Sequence, residues 1–127
     1  MGDAEAPAAI IIDDNYDNCE IFRAILDQSG YNVSIYMEAQ AALDALEETK
    51  FTLAVVDLQI PKITGVEIME RIKQNPLHKQ MTIVVATANP HMVTEDVSLR
   101  ADYVVYKPIA VTEFAQLIGR LKPTSWQ

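Results

Sequence analysis

The sequence predicts an α/β domain with a doubly wound, five-stranded parallel sheet and helices on both faces. Three observations lead there. Short apolar runs alternate along the chain with segments of helical periodicity. Four of the five runs are apolar without interruption, as strands covered on both faces are. The chain has 127 residues, half of them hydrophobic, which fits one core and not two.

The first strand is read at Ala8–Ile12. A helix begins near Asn15, since Cys19, Phe22, Ile25 and Leu26 fall on one face, and Gly30 is placed to stop it. Asn32–Tyr36 alternates Val33 and Ile35 with Asn32 and Ser34, so it reads as an edge strand with one wet face. A second helical stripe runs through Ala39, Ala42, Leu43 and Leu46, and residues 52–56 form the third strand. Val66, Met69 and Ile72 mark a third helix, ended by Pro76, and residues 82–86 a fourth strand. Between Pro90 and Arg100 only Met92, Val93, Val97 and Leu99 are apolar, which predicts a short helix. Tyr103–Tyr106 is the fifth strand, expected to be buried on both faces. Phe114, Leu117, Ile118 and Leu121 mark the last helix, with Thr112 as its expected N-cap. Residues 1–7 and 122–127 read as tails, the second carrying Trp126, around a domain at 8–121. Such alternation implies right-handed crossovers.

Charge and cysteine content remove whole classes of function. Eighteen Asp and Glu against ten Lys and Arg give a formal charge of −8. Nucleic-acid binding needs clustered cations, and anionic membranes attract them, so neither partner is expected. One cysteine, Cys19, allows no internal disulfide and predicts a reducing, cytoplasmic setting. Residues 1–7 hold two acids and no base, unlike a signal peptide, and no apolar run approaches a membrane span.

In open α/β sheets a ligand binds beyond the carboxyl ends of the strands. Here those ends carry Asp13 and Asp14, Asp57, Thr87, and Lys107 with Pro108. Adjacent strands lie about 4.8 Å apart, so three carboxylates at their ends repel one another. A hard divalent cation such as Mg²⁺ removes that conflict, with carboxylate oxygens as ligands. With an ammonium and a hydroxyl added, the set suits a phosphoryl group, and a carboxylate is a competent nucleophile toward phosphorus.

These residues carry a resemblance. Ile10-Ile11-Ile12-Asp13-Asp14, then Asp57 with Pro61 four later and Gly65 eight later, then Thr87-Ala88, then Lys107-Pro108, resemble the receiver domain of two-component response regulators over about residues 8–121. The resemblance implies a flavodoxin-like sheet of strand order 2-1-3-4-5. It implies that Asp57 is the phospho-acceptor, supplied by a phosphohistidine, and that Asp14 ligates Mg²⁺ directly and Asp13 through water. The backbone carbonyl of Gln59 would be a further ligand, and Mn²⁺ an acceptable substitute. Thr87 would bond the phosphoryl oxygen, Lys107 would pair with it, and Lys107–Pro108 would be cis. Gln59 and Asn89 stand where the family tunes hydrolysis of the aspartyl phosphate. The implied partners are a histidine kinase or histidine phosphotransfer protein and a downstream protein, with a homodimer left open. The domain would assist its own phosphorylation and dephosphorylation without being an enzyme in its own right. It would stand alone or be excised from a longer regulator, with output by protein contact or phosphorelay.

Three features depart from the family. The position three before Lys107, usually aromatic, is Val104, with Tyr103 and Tyr106 expected on the opposite face. The interval from Thr87 to Lys107 is about two residues short, and Arg100 stands where a Gly is common. Val104 favours, as a competing reading, a receiver-like scaffold that does not switch, and the complete set of acids, Thr87 and Lys107 argues against it. A phosphohydrolase with an aspartyl-phosphate intermediate would need Asp-x-Asp, and Asp57-Leu58-Gln59 lacks the second acid. A flavin module would need a Ser/Thr/Gly-rich loop where Asp13-Asp14-Asn15-Tyr16 stands. Cys19 is expected in the core, and His78 and His91 on the surface.

Overall fold

The structure is a computed structural model and describes residues 6–121. Most of the expected tails, including Trp126, lies outside the described residues. Five strands, β1 Ala8–Ile12, β2 Asn32–Tyr36, β3 Leu53–Val56, β4 Thr82–Thr87 and β5 Tyr103–Tyr106, form one parallel sheet in the order β2-β1-β3-β4-β5. Five helices join them: α1 Tyr16–Gln28, α2 Ala39–Glu48, α3 Gly65–Gln74, α4 Glu95–Arg100 and α5 Val111–Leu121. The fold class is the one the sequence pattern predicts, and the strand order is the one the family resemblance implies.

The uninterrupted apolar runs have a direct explanation. Ile10, Ile12, Ala54, Val56, Ile83 and Val85 point to the layer of α2, α3 and α4. Their neighbours Ala9, Ile11, Leu53, Val55, Val84 and Ala86 point to the layer of α1 and α5. Each central strand therefore buries both parities of its side chains. Phe22 of α1 meets Phe114 of α5 with ring centroids 5.2 Å apart, which locks the second layer together. α1 starts at an Asn15 cap on the Asn18 N–H and ends before Gly30, whose φ of 94° an ordinary side chain would resist.

Four expectations need correction. β5 is an edge strand, half-covered at Val104 and Val105 and exposed at Tyr103 and Tyr106, so it is not buried on both faces. Its Val104 packs on the α2–α3–α4 side and Val105 on the other, so Tyr106, two residues beyond Val104, shares the face of Val104; only Tyr103 is opposite. Thr112 lies inside α5, which starts one residue earlier. His78 is 3% exposed, in a single 3-10 turn at Pro76–His78. Its Nε2 donates to the Leu46 carbonyl at 2.7 Å, and its ring stacks on Phe51. A lone His gives no sign of this in sequence, because Leu46 and Phe51 lie about 30 positions away.

The short α4 is real. Thr94 caps it through the Val97 N–H, and Val97 is its buried residue, while Leu99 is 78% exposed. Arg100 ties it to α3 through Glu70 at 3.0 Å. In α3 the buried stripe is Ile68, Met69 and Ile72, with Val66 only half-buried.

Candidate metal and phosphoryl site

The site lies where β1 and β3 run out of the sheet together. The ladder continues one residue past β3, because the Asp57 N–H donates to the Ile12 carbonyl at 2.9 Å. On the other side of β1, the Asp13 N–H donates to the Tyr36 carbonyl at 3.2 Å. Both acids are thus fixed by strand geometry before their side chains make any contact. Asp13 and Asp57 are buried, and Asp14 is exposed.

Lys107 reaches this pair from the end of β5. Its own N–H is held by the Thr87 carbonyl at 2.9 Å, and the Lys107–Pro108 bond is cis. Its Nζ donates to Asp13 Oδ2 at 2.8 Å and to Asp57 Oδ2 at 3.1 Å. The remaining oxygens are held by backbone. Asn15 N–H donates to Asp13 Oδ1 at 2.9 Å, and Gln59 N–H to Asp57 Oδ1 at 3.0 Å. Behind Asp13, the Cys19 thiol donates to the Asp13 carbonyl. Cys19 is buried as expected, and burial, then the Asp13 charge, pushes its thiol up to about 11.

The charge balance calls for a cation. Asp13, Asp14 and Asp57 offer ligand oxygens within 4.8 Å of one another. Three carboxylates face one ammonium. Burial raises the Asp13 carboxyl above its usual range, and the Lys107 hydrogen bond only opposes this. Lys107 loses by burial but gains more from Asp13 and Asp57, and its ammonium is held above the usual value. An all-oxygen donor set with unbalanced negative charge suits a hard divalent ion, so the residues present fit Mg²⁺.

The structure brings Asp13, Asp14, Asp57 and Lys107 into one cluster. Thr87 is fully buried at the end of β4, the strand beside β3, and its hydroxyl accepts the Asn89 N–H at 3.1 Å within its own turn. Gln59 meets the cluster through its backbone N–H. Backbone donors at Asn15 and Gln59 escape sequence reasoning because an amide proton has no residue type. Their signal is positional: each follows an acid by two residues, the spacing of an Asx turn.

This fold and this acidic cluster are those of a class of signalling domains, which comparison with known proteins identifies. The sequence model for the response regulator receiver domain matches residues 9–119, and the chain belongs to that family. It is a receiver domain of two-component response regulators, a signalling domain. Among its relatives is the polar-differentiation response regulator DivK of Brucella anthropi, 26% identical over 113 residues, 87% of this chain and 92% of DivK. A CheY-like receiver domain from Methylobacillus flagellatus superposes with a TM-score of 0.84 at 19% identity, over 93% of this chain and all of that one. The receiver domain of a Pseudomonas aeruginosa sensor histidine kinase, solved with a magnesium ion in its active-site cleft, superposes at 0.80 with 19% identity, over 91% and 97% of the two chains. No helix among the described residues is long and apolar enough to cross a membrane.

Proposed function

We propose that the unit at 8–121 accepts a phosphoryl group on Asp57 from a phosphohistidine of a histidine kinase or histidine phosphotransfer protein, and signals by protein contact or onward relay from the cytoplasm. The observation that carries this is the Lys107 ammonium shared between Asp13 and Asp57. An Asp57 carboxylate oxygen attacks phosphorus. The P–N bond to the donor imidazole breaks, and its electron pair stays on that imidazole nitrogen. Lys107 then exchanges one carboxylate partner for a phosphoryl oxygen. Thr87, one strand along, donates its hydroxyl to a second oxygen. Asp13, Asp14, Asp57 and the Gln59 carbonyl would hold Mg²⁺ or Mn²⁺, which when bound supplies positive charge against the phosphoryl oxygens.

Acetyl phosphate with Mg²⁺ should add one phosphoryl group to the protein, read by intact mass. Asp57→Ala should abolish the adduct. Wild-type protein that stays unmodified while binding Mg²⁺ would sink the reading.

Val104 favours a second reading, a receiver fold that binds partners without switching. Phosphorylated protein whose amide exchange over residues 87–106 equals that of the free form would select it.

A further inference from the structure

We propose that Gly65 is a positioning residue for the Asp57 carboxylate, acting through the backbone that carries it; the inference rests on Asp57 being the phospho-acceptor. Asp57 is anchored on its N-terminal side by the sheet, through its N–H on Ile12. Among the described residues no ladder bond of that kind holds its C-terminal side, because the strand has ended. What lies there is the first turn of α3. Gly65, the first residue of that helix, is buried. A Cβ built on it would stand 2.9 Å from the Leu58 Cα, 3.1 Å from the Asp57 carbonyl oxygen and 2.8 Å from the Leu58 Cδ2. The helix therefore rests on the Asp57–Leu58 peptide itself, at a distance only glycine permits.

The two kinds of neighbour have different meanings. Leu58 Cδ2 is the end of a side chain and can swing away. The Leu58 Cα and the Asp57 carbonyl are backbone and can move only if residue 57 moves. The approach to the Leu58 backbone falls about half an ångström short of ordinary van der Waals separation. A methyl group at position 65 must displace either α3 or the acceptor peptide by that much. α3 is held down by Ile68, Met69 and Ile72, all nearly inaccessible to solvent, so the shift is shared with Asp57. Misplacement of a reacting group by about 1 Å costs roughly 100-fold in rate, so a shift of Asp57 between half and all of that gap predicts about 3- to 10-fold.

Gly119 supplies an internal control. It lies in α5, and a Cβ there meets nothing within 4 Å. The experiment compares wild type, Gly65→Ala and Gly119→Ala as full chains, with the rate of phosphorylation by acetyl phosphate at saturating Mg²⁺ read by intact mass. Thermal midpoints are measured in parallel. Leu58→Ala serves as a destabilised reference that leaves the close approach of Gly65 to the backbone in place. Gly65→Ala should slow phosphorylation about 3- to 10-fold, while Leu58→Ala and Gly119→Ala stay within about 2-fold of wild type. Should Gly65→Ala fail to fold, the Leu58→Ala/Gly65→Ala double variant relieves the side-chain clash and keeps the backbone one, and it should still be slow. Gly65→Ala at the wild-type rate, a double variant restored to that rate, or Leu58→Ala slowed equally would each overturn the proposal. An unphosphorylated wild type would overturn instead the assignment of Asp57.

Discussion

The two ends of the β1-to-β5 span are built in opposite ways. At the β1 and β3 ends the two buried acids are over-determined: each has a backbone bond behind it, a backbone donor on one oxygen and Lys107 on the other. At the β5 margin little is fixed. Tyr103 and Tyr106 are exposed, Leu99 is bare, and Val104 fills less space than the aromatic residue the family usually places there. The chemistry of phosphoryl capture needs sub-ångström placement, whereas a surface that hands on a signal needs alternative arrangements of similar energy. This domain holds its two buried acids and Lys107 in fixed positions and departs from its family at the β5 margin.

Lys107 offers the largest way to test that contrast, because it spans both regions. Lys107→Ala should slow phosphorylation by about 100-fold or more, the cost of removing one preorganised charge from a transferring group. It should also lower stability in metal-free buffer, since Asp13 and Asp57 lose the ammonium they share. Mg²⁺ should then raise the thermal midpoint more in the variant than in the wild type. An equal Mg²⁺ response in the two proteins would show that Lys107 does not carry the charge balance assigned to it.

A second test lies far from the site, at the corner where α2 ends. His78 and Asn75 both donate to the Leu46 carbonyl, at 2.7 and 3.2 Å. The second ring nitrogen of His78 has no protein partner among the described residues. His78→Ala should cost about 2–3 kcal/mol in chemical denaturation, through the lost bond and the hole beside Phe51. Phosphorylation should be nearly unchanged below the unfolding transition. A variant as stable as wild type would return His78 to the surface role its sequence context predicts. By contrast Leu99→Ser and Tyr103→Ser at the β5 margin should each fall within about 0.5 kcal/mol of wild type. A larger loss there would mean that the margin is packed more firmly than its exposure shows.

Legibility in the sequence divides along the same line. The fold is readable because four apolar runs, one alternating run and four helical stripes survive without any tertiary information, and burial on both faces leaves its mark at nearly every central-strand position. Asp13, Asp14, Asp57 and Lys107 are readable because a charged residue directly after an apolar strand has one place to go. β5 misleads because its Val-rich centre looks the same whether one neighbouring strand or two flank it. His78 misleads because its partners, Leu46 and Phe51, are distant in the chain. Gly65 is readable as part of a motif, but its approach to Leu58 and Asp57 exists only once α3 is docked.

The smallest expected effect concerns alkaline pH. Tyr31 is 4% exposed, packed in the α1–α5 layer, and burial raises its phenol above the ordinary 10.0. A group whose pKa is higher in the folded chain than in the unfolded one contributes stability that is present below the unfolded value and is lost as pH rises through the folded one. Tyr31 therefore weakens the fold only above about pH 10. Lys107, burdened by burial but raised by Asp13 and Asp57, acts in the same direction in the same range. Tyr31→Phe removes the tyrosine share and leaves the lysine share. Thermal midpoints of the two proteins should agree to within a few degrees at pH 8 and diverge above pH 10, the variant falling less steeply. Parallel curves from pH 8 to 11 would show that the Tyr31 hydroxyl keeps enough contact with water to ionise as freely in the folded chain as in the unfolded one. That result would place the loss of stability at high pH on Lys107, and so on the acidic site.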